Sequence, residues 1–173
     1  MIHKNFKNID KVIYGRGSFS QLAETIAPIR IENNNYFVYV IDNYFKGKAL
    51  SEKIQNEPSD LIYFIDVDPC EPTTELIDDL RNEILLKKGL PSGVVGIGGG
   101  SIMDIAKALS LMLTNEGSSA LYQGLNLIQK AGVYHLGIPT ISGTGAEVSM
   151  TAVLTGPEKK LGLKCDWTVF NQV

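Results

Sequence analysis

Three consecutive glycines follow an apolar run near the middle of the chain and lead directly into a helical pattern. Residues 94–97 form the apolar run, and Gly98, Gly99 and Gly100 precede Ser101. Glycines let the backbone turn sharply and let a ligand approach the main chain closely. The first turn of a helix has N–H groups without partners and the positive end of the helix dipole. A strand, a glycine loop and a helix in this order therefore predict a phosphate or pyrophosphate site.

The glycine loop has a structural alternative, because a tight turn between a strand and a helix uses glycines without any ligand. Three glycines in a row before a serine at the predicted helix cap favour the binding site. The spacing differs from the Gly-x-Gly-x-x-Gly of the Rossmann fingerprint, so the roles in that motif are not carried over. We predict a phosphorylated small molecule as the ligand, with a dinucleotide favoured.

An acidic residue ends the clearest predicted strand. Asp42 follows the apolar residues 36–41. A carboxylate at this place can accept hydrogen bonds from an adenosine ribose, and it would repel the 2′-phosphate of NADP. The alternative is an aspartate that caps a helix or a turn. The first interpretation predicts a preference for NAD over NADP.

A second loop rich in glycine and hydroxyl groups follows the strand predicted over residues 135–138. Thr140, Ser142 and Thr144 supply the hydroxyl groups, and glycines stand between them and after them. Taken alone, such a segment is an ordinary turn. Together with the first loop, it predicts the second side of a cofactor cleft.

Short apolar runs alternate with helical patterns along the chain, which predicts an α/β fold with a mostly parallel, Rossmann-like sheet and flanking helices. Apolar runs stand at 12–14, 36–41, 61–65, 94–97, 135–138, 152–154 and 168–170. Helices are predicted over 19–27 with Ser18 as cap, between Thr73 and Gly89, and over 101–113 with one apolar face. Ligands of such sheets bind at the carboxyl ends of the strands, where Asp42, the glycine loop and Thr140 all fall.

Composition restricts the class of protein. The chain has 173 residues, 44% of them hydrophobic, which suffices for one α/β domain over 1–173. Its net charge of −3 argues against nucleic acid as a partner. No run approaches the roughly 18 apolar residues of a membrane span, and the N-terminus lacks a signal-peptide pattern. Cys70 and Cys165 are far apart, so we expect unpaired thiols and a cytoplasmic protein without membrane partners.

No catalytic centre can be recognised from the residue types. His3 and His135 are the only two histidines, and neither belongs to a metal-binding or Ser-His-Asp pattern. Glu147 could be a general base, but an acid at the start of a helix is the alternative. The sequence thus predicts a binding cleft, no metal site, and catalytic residues that stay unassigned.

Four segments together resemble the N-terminal half of the iron-containing (group III) alcohol dehydrogenases, in the dehydroquinate synthase-like superfamily. They are residues 14–18, Asp42, residues 98–107 and residues 138–148. The resemblance implies a nucleotide-binding α/β domain that is followed by a helical domain absent from this chain. That helical domain would hold a divalent metal, iron or zinc, and the cofactor would be NAD or NADP. A strand that only begins at residues 166–173 also suggests that the chain is part of a longer protein.

The resemblance also implies roles for individual residues. The glycine loop would hold the pyrophosphate, and Asp42 would lie at the adenosine ribose. Thr140 and Thr144 would lie near the phosphates and the nicotinamide side, with Lys160 near the ribose and Asp104 in the cleft. Many relatives have a threonine where this chain has Ile141, which removes one hydroxyl contact with the cofactor.

Within the family, the sequence is most similar to the 3-deoxy-α-D-manno-octulosonate 8-oxidase subgroup. The similarity lies in residues 110–115, 122–124, 139–147 and 160–163. It implies a primary alcohol as substrate, and the apolar face left without the helical domain suggests a homo-oligomer. Two alternatives stay open: an enzyme like dehydroquinate synthase or glycerol dehydrogenase, and a noncatalytic, truncated dinucleotide-binding module.

Overall fold

The computed structural model describes residues 7–31, 35–67 and 71–173, which form seven strands and four α-helices. The strands are β1 (Phe37–Asp42), β2 (Leu61–Ile65), β3 (Gly93–Gly98), β4 (Gly124–Leu125), β5 (Tyr134–Pro139), β6 (Thr151–Thr155) and β7 (Lys160–Lys164). The helices are α1 (Leu22–Ile26), α2 (Ala49–Glu52), α3 (Thr74–Lys88) and α4 (Gly100–Met112). The predictions for His3 and Cys70 lie outside the described residues.

A four-stranded parallel sheet in the order β2-β1-β3-β5 forms the centre of the molecule. All six residues of β3 are buried, and so are all residues of β1 before Asp42. Continuous apolar strands of this kind are typical of parallel sheets that are covered on both faces. The predicted α/β fold with a mostly parallel sheet and flanking helices is confirmed.

Alternate residues of the central strands face two different cores. Val38 and Val40 of β1 pack in the core that contains α3 and α4, whereas Phe37, Tyr39 and Ile41 pack in the core that contains α1. The sheet therefore has a helical layer on each side. Because β1, β3 and β5 are parallel neighbours, the loops that follow them can meet at the carboxyl edge of the sheet.

Helix α4 is more deeply buried than its predicted single apolar face suggests. Every residue from Ile105 to Met112 is buried. The helix packs against β3 and β5 on one side and against α3 and β6 on others, so no wide solvent face is left. The prediction missed this because it did not foresee the second sheet, in which β6 and β7 form an antiparallel pair and β4 lies beside β7.

The two chain-end segments extend the sheet beyond β5, although neither forms a regular strand. Gly137 N–H donates to Gln172 O (3.0 Å), and Ile13 N–H donates to Val173 O (2.8 Å). The strands predicted over 12–14 and 168–170 are therefore wrong in extent. In place of the second, a 3-10 turn spans Asp166–Thr168, and the backbone groups of Asn171 and Gln172 bond to β5.

Two predicted helix ends have different outcomes. Thr73 Oγ1 accepts a hydrogen bond from Leu76 N–H (3.1 Å), and Gly89 ends α3 with a φ of 74°, both as predicted. The predicted helix over 19–27 is only five residues of α-helix between two 3-10 turns, and Gly17 rather than Ser18 precedes its first turn. A proline at 28 has no N–H to continue the α-helical ladder.

Among the described residues, no helix is both long and apolar enough to cross a membrane.

We predict that Gly96→Ala destabilises the fold, because an added Cβ would lie only 2.7 Å from Ala106 Cβ, between β3 and α4. The expected loss is about 1–3 kcal/mol in the free energy of unfolding, as for overpacked cores. Urea unfolding measures it. Gly99→Ala is the matched control, since its added Cβ would meet only Ile141 Cδ1 at 3.5 Å. Equal unfolding midpoints for the two variants would contradict the prediction.

Candidate functional site

The carboxyl ends of β1, β3 and β5 meet at one point. Thr140 N–H donates to Gly98 O (2.9 Å), which joins the ends of β5 and β3. A Cβ built on Gly98 would lie 3.2 Å from Asp42 Cβ and 2.6 Å from Ile102 Cγ1. Because Gly98 has no side chain, β1 and α4 can both approach the end of β3 this closely. The predicted convergence of Asp42, the glycine loop and Thr140 is therefore present.

The glycine loop leads into α4 without a side-chain cap. The helix begins at Gly100, Gly99 is its N-cap residue, and Ser101 is already its second residue. The prediction of Ser101 as the cap is wrong, because a cap at Ser101 would start the helix at residue 102, and the helix starts two residues earlier, at Gly100. Met103 N–H donates to Gly99 O (3.0 Å), so the N–H groups of Gly100, Ser101 and Ile102 precede the helical ladder.

The three glycines do not adopt the left-handed conformation that a sharp glycine turn uses. Positive φ angles occur at other glycines of the described chain and not at Gly98, Gly99 or Gly100. The space over Gly99 is open apart from Ile141, whose Cδ1 would lie 3.5 Å from an added Cβ. The absence of side chains here thus permits close packing at Gly98 and leaves the space over Gly99 open.

The second loop lies across the first, as predicted. Thr144 Cβ and Cγ2 would each lie 3.4 Å from a Cβ on Gly100. Ile141 is 60% exposed although it is a large apolar side chain. Ser142 is also exposed. Thr140 and Thr144 are therefore brought to the glycine loop, and Ser142 is not shown to be.

Asp42 caps a turn, which is one of the two roles that the sequence left open, and it also lines a cleft. Its Oδ1 accepts a hydrogen bond from Tyr44 N–H (2.9 Å), so it does cap a 3-10 turn. The same carboxylate also lines a cleft of about 740 Å³. The other side chains around this cleft are Asn43, Tyr44, Phe45, Asp66, Val67, Thr140 and Ile141. Because the cap bond involves only Oδ1, it is compatible with a ribose contact through Oδ2.

Ser101, Asp104 and Lys160 meet in a second cleft, of about 360 Å³. Lys160 Nζ forms an ion pair with Glu71 Oε1 (2.5 Å), and Thr155 Oγ1 donates to Glu71 Oε2 (2.9 Å). These two contacts lower the pKa of Glu71. Glu71 and Thr155 were not among the predicted site residues, because their contacts depend on the hairpin between β6 and β7. The only indication in the sequence that Glu71 could belong to the site was its position shortly after β2.

Asp104 is mostly buried beside this cleft. Burial raises its pKa to about 6, against the opposing effects of Lys107 and of the hydrogen bond from Val153 N–H to Oδ2 (3.1 Å). A carboxyl group with this pKa changes its charge close to neutral pH. Asp104 therefore can bind a ligand hydroxyl group in either protonation state, as a donor or as an acceptor.

The remaining polar candidates do not form a metal site. Within 7–31, 35–67 and 71–173, no three His, Cys, Asp or Glu side chains are grouped so that they could hold a metal ion. His135 is buried in β5, and burial lowers its pKa to about 4. Glu147 lies in a turn and not at the start of a helix, so that alternative is wrong. Its Oε2 is buried without a described hydrogen-bond partner.

Comparison with known proteins identifies the family. The family model "Iron-containing alcohol dehydrogenase" matches residues 10–170. The chain is also 31% identical, over 86% of its length, to alcohol dehydrogenase 4 of Saccharomyces cerevisiae (strain S288c). The chain belongs to the iron-containing alcohol dehydrogenase family.

Other relatives differ in the substrates that their names state. The chain is 34% identical to choline dehydrogenase of Bacillus subtilis and 29% identical to an NAD-dependent methanol dehydrogenase of Bacillus methanolicus, over 85% and 86% of its length. It covers only 37% and 39% of those proteins. Among solved structures, 1,3-propanediol oxidoreductase matches with a TM-score of 0.83 at 18% identity, over 97% of this chain and 44% of that one. Sulfoacetaldehyde reductase of Bifidobacterium kashiwanohense, in complex with NAD+, matches with a TM-score of 0.77 at 21% identity, over 99% and 46%.

We predict that Asp104→Asn becomes more stable relative to the wild type as the pH rises from about 4 to 7. The folded protein holds the Asp104 proton more tightly than the unfolded chain, because the folded pKa of about 6 exceeds the ordinary 3.8. The wild type therefore loses stability across this window, by about 2–3 kcal/mol, and asparagine does not titrate. Urea unfolding at several pH values measures the difference. The exposed Asp79→Asn is the control, and parallel pH curves for wild type and Asp104→Asn would contradict the prediction.

Proposed function

We propose that this chain is the dinucleotide-binding part of a metal-dependent oxidoreductase that acts on an alcohol. The observation that carries the proposal is the junction at the carboxyl edge of the sheet. There the open space over Gly99, the first N–H groups of α4 and the two loops share one place. Family membership agrees with this interpretation, and one relative is named as NAD-dependent.

The residues suit a dinucleotide in three respects. The N–H groups and the positive dipole end of α4 would bind the pyrophosphate above Gly99. Asp42 would accept hydrogen bonds from the adenosine ribose, while Thr140 and Thr144 would donate to the phosphates and the nicotinamide side. Lys160, which lines the other cleft, would lie near the ribose. When bound, the nicotinamide accepts or returns a hydride, which is chemistry that no side chain can supply.

The metal, iron or zinc, is proposed to have its ligands outside these 173 residues. The described residues offer no set of ligands for it, as noted above. The chain spans about two fifths of the curated relatives that it matches, so a division between a dinucleotide part and a metal part is consistent with their lengths. In this division the present residues bind and orient the dinucleotide only.

For the substrate, we propose a primary alcohol, namely the 8-hydroxyl group of 3-deoxy-D-manno-octulosonate. The support is the similarity of residues 110–115, 122–124, 139–147 and 160–163 to that subgroup. We also expect a homo-oligomer in the cytoplasm. An oxidation assay with this sugar acid, using protein that includes the proposed metal-binding part, tests the substrate. The 8-deoxy analogue is the control. Equal rates with the analogue would exclude the 8-hydroxyl group.

Calorimetric titration of the chain with NAD and NADP, with and without added divalent metal, tests the dinucleotide proposal directly. Saturable binding that is independent of metal is the expected result. Binding only in the presence of metal would contradict the division between the two parts. The absence of binding to either dinucleotide would contradict the assignment of the cleft in this chain.

We predict that Gly99→Asp abolishes dinucleotide binding, because it places a carboxylate against the pyrophosphate at the open side of the loop. The same titration measures the effect, and thermal unfolding verifies that the variant is folded. Gly99→Asn, which has nearly the same size and no charge, is the matched control and should bind more tightly than Gly99→Asp. Unchanged affinity in Gly99→Asp would remove the glycine loop from the proposed site.

We predict that Asp42→Asn weakens the preference for NAD over NADP. Asparagine can keep the hydrogen bond from Tyr44 N–H that caps the turn, so the change removes mainly the charge. Without the carboxylate, the repulsion of the 2′-phosphate is lost, and the ratio of the two dissociation constants should shift about tenfold or more towards NADP. Asp79→Asn serves as the control. An unchanged ratio would mean that Asp42 acts only as a cap.

A further inference from the structure

Lys107 on α4 is a fully buried lysine that binds one segment of the chain. Its Nζ donates to Ser149 O (2.9 Å), Ser149 Oγ (3.1 Å), Thr151 O (3.0 Å) and Ala146 O. These acceptors belong to the loop between β5 and β6 (residues 140–150, here the β5–β6 loop) or to the first residue of β6. An ammonium group has three N–H donors, so every donor is used.

The rest of the β5–β6 loop has few other attachments. Thr140 N–H bonds to Gly98 O at its start, while Ala146 N–H to Thr144 Oγ1 and Val148 N–H to Gly145 O lie within it. Within the described residues, Lys107 makes the one hydrogen bond that reaches 141–148 from another element, to Ala146 O, and its bonds to Ser149 and Thr151 hold the end of the loop. Residues 141–144 are exposed. Lys107 is therefore the main polar anchor of the loop that carries Thr144.

Burying an ammonium group is costly unless its hydrogen bonds are satisfied. Here three acceptors are backbone carbonyls and one is the Ser149 hydroxyl group, and a loop in another conformation would not provide them. The ring of Phe170 lies 5.4 Å from Nζ and adds a cation–π contact. Loss of the loop conformation would thus leave a buried charge without partners. The cost of that state favours the loop conformation seen here.

We propose that Lys107 is a positioning residue that holds the β5–β6 loop against the glycine loop, so that both sides of the dinucleotide cleft are in place before a ligand binds. The effect of Lys107 on dinucleotide affinity rests on the proposed function. The effect of Lys107 on the loop conformation concerns the free protein and does not depend on any ligand.

The anchor requires the charged form of Lys107, since a neutral amine has only two N–H groups and a lone pair that would face a carbonyl oxygen. Burial lowers the pKa of Lys107 to about 8, although Asp104 and Glu147 raise it. The groups that face it are Asp104 from α4, Glu147 from the loop, and His135 from β5, which has a pKa of about 4 and is neutral throughout this range. The loop should therefore loosen as the pH rises through about 8.

Hydrogen–deuterium exchange of the free protein tests the proposal without any variant. Protection of peptides that cover 141–148, corrected for the intrinsic rate, should fall about tenfold or more between about pH 7 and 9.5, as expected for loss of a charge-assisted hydrogen bond. Protection of α3 peptides should stay constant. Equal protection of 141–148 at both pH values would overturn the proposal.

Lys107→Met adds a second test, with the exposed Lys130→Met as matched control. Lys107→Met should show low, pH-independent protection of 141–148 and a dissociation constant for NAD raised about tenfold at pH 7. Lys107→Arg, which keeps the charge, should restore part of the protection. Normal protection in Lys107→Met would overturn the proposal, and if that variant does not fold, the wild-type pH series decides. The wild type could show pH-dependent protection of 141–148 and yet bind no dinucleotide. That result would contradict the proposed function and would still support Lys107 as the anchor of the loop.

Discussion

The close contact between α4 and β3 is the constraint on which the site depends. Glycines at 96 and 98 leave no side chains between the two elements, and a Cβ at either place would come within 2.7 Å of the helix. Because α4 lies so close, its N-terminus opens directly at the carboxyl edge of the sheet. A helix held further away would direct its N–H groups elsewhere, and the loops after β1 and β5 could not reach them.

A site built on this contact consists mainly of backbone groups. The N–H groups at 100–102 and the space over Gly99 depend on the path of the main chain, and few side chains are needed to define them. Solved structures with 18–24% sequence identity have the same fold. This agrees with a fold that requires glycines and close packing at a few positions and tolerates substitutions at many others. Differences in substrate among relatives can then arise without changes to this junction.

The sequence was sufficient for the parts of the fold that depend on local patterns. Buried parallel strands appear as continuous apolar runs, and Thr73 and Gly89 mark the ends of α3 by their own chemistry. The second sheet and the Lys160–Glu71 pair could not be predicted, because both depend on contacts between residues far apart in the chain. The predicted cap at Ser101 was wrong for a local reason, because both Gly100 and Ser101 belong to the first turn of the helix. Lys107 was visible only as one residue of a motif, since burial cannot be read from the residue type.

The charges around the cleft explain why backbone groups matter so much for an anionic ligand. Asp42 and Asp66 line one cleft, Glu71 and Asp104 line the other, and Lys160 is already paired with Glu71. Side chains in these two clefts thus provide little net positive charge. Lys107 is positive, but its three donors are directed to oxygen atoms of the β5–β6 loop and of Thr151. In the proposed complex, attraction for a pyrophosphate would then come from the N-terminus of α4. The acids at the cleft margins would contact the ribose and would not compete for the phosphates.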